Sequence, residues 1–192
     1  VAVVKGGSTG KPVSPIQLPA WDRESELLHV VVDTAKGSPI KFKFDMAKRC
    51  YTISHVLPPG AVFPFDFGSI PGTLADDGDP LDVLVLLESP TFTGCLVLVR
   101  PIGVLEAKQT QEGRTDRNDR LIGVAEKSRL YRDARTLRDL PGKLVNEIEH
   151  FFVSYNEERG RRFVVLGRPG PRRAASLVKA GEKRFRNASS GA

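Results

Sequence analysis

Asp76-Asp77-Gly78-Asp79-Pro80-Leu81-Asp82-Val83-Leu84-Val85-Leu86-Leu87 sets four carboxylates within seven residues, directly against a five-residue apolar run. The apolar run is too short for a helix and rich in valine, so it reads as a buried strand. Gly78 and Pro80 tighten the acidic segment into a turn, which lets its side chains converge. Two unit charges about 4 Å apart repel by roughly 4 kcal/mol at an effective dielectric near 20. Such a cluster is costly in a folded cleft unless cations sit in it; a solvated acidic turn is the alternative, and composition alone leaves both open. Hard carboxylate oxygens suit Mg2+ or Mn2+ shared with a phosphate. The spacing does not match an EF-hand calcium loop.

Outward from this turn, the sequence upstream is strand-rich. Leu27–Val32 is a β-favouring run, Ile40–Asp45 alternates apolar and charged, and Cys50–Leu57 is a third strand candidate. The alternation places Lys41 and Lys43 on one face, opposite Ile40, Phe42 and Phe44. Downstream, Gly94–Val99 and Ile102–Ala107 are strand candidates separated by Arg100-Pro101, Lys108–Asn118 is a polar loop, and Leu121–Ala125 resumes as a strand. Only the last third is helical. Leu144, Val145, Ile148, Phe151, Phe152 and Tyr155 form one apolar stripe at helical spacing. Asp139 and Pro141 mark its start and Gly160 its stop. A second helix is expected at about Arg172–Arg186. Strands first and helices after argue an α+β domain built on a small barrel.

The chain has 192 residues, enough for one domain with a sizeable core. The pattern divides it into an N-terminal arm (1–26), a barrel domain with its helix (27–168) and a basic C-terminal helix and tail (169–192). No apolar run approaches the length of about 20 residues that a membrane-spanning helix needs. Two cysteines, Cys50 and Cys95, make neither a disulfide framework nor a four-ligand zinc site, and their apolar surroundings predict buried free thiols. Val1–Pro19 lacks the apolar core of a signal peptide, so a cytoplasmic or organelle-matrix location is expected rather than secretion. The net charge is +6, yet residues 157–192 carry ten basic against three acidic side chains. That excess reads as a solvated basic helix or as a docking patch for an acidic protein partner. No nucleic-acid motif accompanies it.

Asp77-Gly78-Asp79-Pro80-Leu81-Asp82-Val83-Leu84 resembles the signature of the soluble family I inorganic pyrophosphatases. Five further segments resemble that family in order and spacing: Val31–Ser38 with Lys41, Phe63–Thr73, Arg100–Val104, Gln111–Asp116 and His150–Tyr155. The resemblance covers about Val30 to Tyr155. It implies an OB-like five-stranded β-barrel with two C-terminal helices packed outside. It also implies hydrolysis of diphosphate to two phosphates with several Mg2+ ions, Mn2+ being the alternative, and a homo-oligomer. By resemblance Asp77, Asp82 and Asp116 are metal ligands. Asp79 both contributes to the metal site and takes the proton from the attacking water. Lys41 and Tyr155 hold phosphate oxygens, Lys43, His55 and Arg120 stand at substrate-facing positions, and Asp33 lies behind them.

Several cleft positions depart from the family pattern. Asp33 replaces a glutamate, Lys43 reverses a glutamate's charge, and His55 stands where an arginine is usual. Phe63 and Phe67 lack two tyrosine hydroxyls, and Asp66 replaces an asparagine. A metal-ligating aspartate of the polar loop becomes Gln111, or Gln109 if the insertion falls later. The loop lysine becomes Asn118 or, with a two-residue shift, Arg120; the lysine after Tyr155 becomes Asn156. Lost carboxylates weaken metal binding and lost cations weaken phosphate binding, whereas Lys43 and Arg120 add charge. The Asp77, Asp79 and Asp82 set is intact. Two functions follow: a Mg2+-dependent diphosphatase, and the alternative of a catalytically weakened homologue acting as a structural subunit of a larger assembly.

Overall fold

Strands that are apolar on both faces must be covered on both, and the fold is organised around this demand. The computed structural model describes residues 18–190; most of the expected N-terminal arm lies outside the described residues. The elements are β1 (Leu28–Thr34), β2 (Ile40–Asp45), β3 (Cys50–Val56), β4 (Asp66–Ile70), β5 (Leu81–Leu86), β6 (Leu96–Gln111), β7 (Arg114–Arg117), β8 (Arg120–Ala125), α1 (Gly142–Glu157), β9 (Arg162–Gly167) and α2 (Pro171–Ser190). A mixed sheet runs β1-β4-β5-β8-β6, and β6 pairs back onto β1, so five strands close into a ring. Only the β5–β8 pairing is parallel within it. β7 and β9 extend from β6, and β2 with β3 forms a separate two-stranded sheet.

β5 explains the uninterrupted apolar run. Leu84 and Leu86 join Phe67, Ile122, Ile148 and Phe152 in a cluster that includes α1. Leu81, Val83 and Val85 join Leu28, Leu121, Ala174 and Val178, which brings in α2. Each such side chain contributes about 1.5–3 kcal/mol when fully buried. Gly68 lets β4 cross β1 closely: a Cβ there would lie 2.3 Å from the Val31 carbonyl oxygen. Trp21 bridges to Leu28 and packs on the second cluster, at the junction of arm and ring. Among the described residues, no helix is long and apolar enough to cross a membrane.

Four details differ from the sequence reading. Arg100-Pro101 does not break a strand, because β6 runs through it with a bulge between Pro101 and Gly103; proline is tolerated where the ladder is already irregular. Lys108–Asn118 is not a loop but a hairpin, Gln109 facing Asp116 and Gln111 facing Arg114. Asp139 does not start α1; it caps a preceding 3-10 turn with Thr136, and α1 follows Pro141. Cys50 is exposed and Cys95 half-buried rather than both buried, since Cys50 begins a strand of the peripheral two-stranded sheet. α1 buries Val145, Ile148 and Phe152 of the predicted stripe and ends near Gly160, whose φ of +67° suits glycine.

Candidate active site

The acidic turn is held from three sides. Gly78 adopts a φ of +86°, a conformation that costs glycine little. The Ala75 amide donates to the Asp79 carbonyl at 2.7 Å, and the Gly78 amide to the Ala75 carbonyl at 3.2 Å. Thr73, fully buried, donates its hydroxyl to the Ile70 carbonyl at 2.7 Å and accepts the Leu81 amide at 3.1 Å. The third hold comes from α2. The Leu74 amide donates to the Gly181 carbonyl at 3.1 Å, and Arg184 Nε donates to the Leu74 carbonyl at 2.8 Å. Gly181 has no room for a larger residue, since a Cβ would meet Leu81 Cδ1 at 2.8 Å. Arg184 also pairs with Asp76 at 3.2 Å, which leaves Asp77, Asp79 and Asp82 for the cleft.

These three carboxylates share one electrostatic neighbourhood. Partial desolvation pushes the Asp77 carboxyl up, and the charges of Asp79 and Asp82 add to the shift against the pull of the Asp79 amide. Lys43 answers Asp79 with its ammonium at 2.6 and 2.7 Å from the two carboxylate oxygens, and Arg120 is ion-paired with Asp82. Asp33, buried behind them, is pushed up to about 7 by burial and by Asp82, against the pull of Ser69, Lys41 and Lys43. Burial, then the Asp33 carboxylate, raises the Tyr51 phenol. Asp33, Lys41, Lys43, Tyr51, Asp79 and Asp82 all line a cavity of about 250 Å³ between the turn and the β2–β3 hairpin.

As arranged here, no three His, Cys, Asp or Glu side chains among the described residues stand close enough to hold a metal ion. The donor chemistry nevertheless fits a hard divalent cation. Three carboxylates on one turn, Asp77 pushed up and Asp79 and Asp82 drawn onto positive side chains, are what such a cation neutralises.

The hairpin does not bring its predicted ligand to the turn. Asp116 is partly exposed and paired with Arg114 at 2.8 Å. Gln111 is exposed beside the hairpin tip. The amides instead meet each other: Asn118 Nδ2 donates to Gln109 Oε1 at 2.7 Å. Asn118, Asp119 and Arg120 line a smaller cavity with Asp77 and Asp82, and Asp116 does not. Asp119 accepts the Ala107 amide at 3.0 Å and pairs with Arg117 at 2.9 Å.

Aromatic rings carry the cationic side of the cleft. Lys41 Nζ lies 5.1 Å from the Phe67 ring centre and 5.7 Å from that of Tyr155, distances that favour cation–π attraction. Phe63 and Phe67 are buried and pack on Tyr155, Phe151 and Phe152, so their missing hydroxyls leave no unpaired polar group. The Tyr155 hydroxyl accepts from Arg159 at 2.8 Å. His55 faces Lys41 across the hairpin and its ring stands 6.2 Å from that of Tyr155. Burial first, then Arg159, Lys41 and Arg161, push the His55 imidazole down against the pull of Glu158, which keeps it neutral near pH 7. Two departures prove structural. Asp66 is buried and accepts from the Lys36 amide at 2.7 Å and the Thr91 hydroxyl at 2.7 Å, and Asn156 is buried on the Phe152 carbonyl. Tyr51 and Arg184, which line the two cavities, and Arg159 and Arg161, which stand by Tyr155 and Arg120, were missed by sequence reasoning, since each comes from an element whose placement no local pattern gives.

Comparison with known proteins places the chain. The family model for inorganic pyrophosphatase matches residues 30–186. An inorganic pyrophosphatase of Synechocystis is 38% identical over 141 residues, covering 73% of this chain and 81% of that protein. One of Thermus thermophilus is 33% identical over 172 residues, covering 88% and 96%. The crystal structure of an inorganic pyrophosphatase from Thermus thermophilus superposes with a TM-score of 0.80 at 32% identity, over 91% of this chain and 99% of that one.

Proposed function

The chain belongs to the inorganic pyrophosphatase family, and from that premise we propose how its own residues serve the reaction. It hydrolyses inorganic diphosphate to two phosphates. The observation that carries the assignment of the site is the acidic turn, complete in Asp77, Asp79 and Asp82: Asp79 and Asp82 line the cleft of Lys41 and Lys43, and Asp77 and Asp82 line the smaller cavity beside it. We read the five-strand ring as an OB-like barrel and the turn as its catalytic edge.

Family membership implies divalent metal, and Mg2+ suits the carboxylate donor set. When bound, Mg2+ neutralises diphosphate charge and acidifies water. Asp77 and Asp82 would hold it, with Asp79 between them. The remaining work falls to side chains. Asp79 accepts the proton of the attacking water, and its release from Lys43 frees both its oxygens for that role. Lys41, carried on Phe67 and Tyr155, holds phosphate oxygens, and Lys43 is free to do the same once it leaves Asp79. Arg120 balances Asp82 and faces the same anion. Asp33 is buried, and burial together with the Asp82 charge favours its protonated form. His55 contributes packing and a neutral hydrogen-bonding ring rather than a fixed cation. Phosphoryl transfer of this kind depends on positioning and charge stabilisation more than on covalent help.

The hairpin's part is smaller. Arg120 opens β8 beside the turn, so the insertion falls at the hairpin tip, and Asn118 rather than Asp116 faces Asp77 and Asp82. This supports a cleft with fewer carboxylate donors, in which Lys43 and Arg120 supply some of the positive charge. The test is phosphate release from diphosphate titrated with Mg2+, with Asp82→Asn as control. Turnover that requires Mg2+ and is lost in the variant is expected. A well-folded wild type without turnover at any Mg2+ concentration would favour the non-catalytic alternative.

A further inference from the structure

Tyr155 is surrounded by more positive charge than the described residues neutralise. Arg159 donates to its hydroxyl at 2.8 Å and lies 5.3 Å from its ring centre, while Lys41 lies 5.7 Å from the same ring. Lys41 and Arg120 share the next ring, Phe67, at 5.1 and 5.8 Å. Arg161 stands close enough to Arg159 and Arg120 that, after burial, their charges push its guanidinium down. Among the described residues neither Arg159 nor Arg161 forms an ion pair; the salt bridges of the tail belong to Arg168, Arg173 and Arg184. The Nε atoms of Arg120 and Arg161 are both buried with no hydrogen-bond partner. Half-buried guanidinium groups that repel one another and leave donors unpaired are costly. A multivalent anion removes both costs, and the guanidinium fork matches phosphate oxygens.

We propose that Arg159 and Arg161, together with Lys41 and Arg120, bind phosphate oxygens of the substrate. The inference rests on the diphosphate reading above and deepens it: two arginines after α1 supply the positive charge that neutral His55 and buried Asn156 do not. Basic residues that follow the helix are thereby part of the cleft rather than of a docking surface.

The test measures binding of methylenediphosphonate, a non-hydrolysable diphosphate, to the full chain with Mg2+ by calorimetry, alongside KM and kcat for diphosphate. Arg159→Gln and Arg161→Gln should each weaken binding about tenfold or more, as loss of a charge-assisted hydrogen bond does, and raise KM more than they lower kcat. Arg161→Lys should recover part of the loss. Arg162→Gln, an exposed neighbour on β9 with the same change of charge, should stay within about twofold, as screened surface charges do. Tm of Arg161→Gln should hold or rise, because a repulsion is relieved; a purely structural arginine would lower Tm and leave binding intact. Should Arg159→Gln lose its fold by freeing Tyr155, Arg161→Gln decides alone. Wild-type binding that survives unchanged in Arg161→Gln, or an equal loss in Arg162→Gln, would overturn the proposal. A wild type that neither binds nor hydrolyses would instead overturn the diphosphate reading, and this inference with it.

Discussion

Two stretches beside the cleft carry carboxylates, the acidic turn at 76–82 and the charge-balanced hairpin at 108–119, and they are built in opposite ways. The turn is locked by buried Thr73, by Gly78 and by the α2 contacts of Gly181 and Arg184. Desolvation first, and then the charges of Asp79 and Asp82, raise Asp77. The hairpin sets Asp116 on the exposed Arg114, while the largely buried Asp119 is tied to Arg117 and to the Ala107 amide at the edge of the cavity that Asp77 and Asp82 line. Its amides, Gln109 and Asn118, bond to each other. Acidity alone therefore does not make a metal site; carboxylates must be held against their own repulsion by a scaffold that cannot relax.

The comparison breaks most sharply at Asp79. Asp79→Asn should lower kcat by about 100-fold or more, the usual loss when a proton acceptor is removed, with an unchanged circular dichroism spectrum. Unchanged turnover would show that the turn does not hold the proton acceptor. An intermediate effect is expected where the hairpin meets the turn. Asn118→Asp restores a carboxylate facing Asp77 and Asp82, and should lower the Mg2+ concentration for half-maximal activity several-fold, on the order of the 10-fold lower bound of outer-sphere effects on metal sites. A Mg2+ titration that does not shift would place the hairpin elsewhere in the working enzyme. The smallest effect belongs to Asp116→Asn. Steady-state turnover should change by less than about twofold, as for an exposed ion pair; a tenfold loss would mean that the hairpin folds over the turn during the reaction.

The same contrast shows what could be read in advance. The turn was legible because Gly78, Pro80 and three spaced aspartates are local features followed at once by a buried strand. The α1 stripe was legible because 3.6-residue periodicity is local as well. The hairpin was not, because the end of β6 and all of β7 carry only polar side chains, with no apolar alternation to betray them, and such residues look like loop. The unbroken β6 was hidden by Pro101, whose missing N–H is absorbed by a bulge that depends on its partner β8. Cys50 looked buried because its neighbours are apolar, yet its strand pairs only with β2. Arg159, Arg161 and Arg184 lay within the basic excess of the last fifth of the chain. Composition showed that excess, but only tertiary packing separates the arginines that pack beside Tyr155 and the turn from those that face water.

The central claim is that metal and substrate chemistry are gathered on the turn and not on the hairpin. Calorimetric titration of Mn2+ into the wild type, Asp77→Asn and Asp116→Asn tests it most directly. Asp77→Asn should lose high-affinity Mn2+ binding, while Asp116→Asn titrates like the wild type. Loss of binding in Asp116→Asn with retention in Asp77→Asn would contradict it.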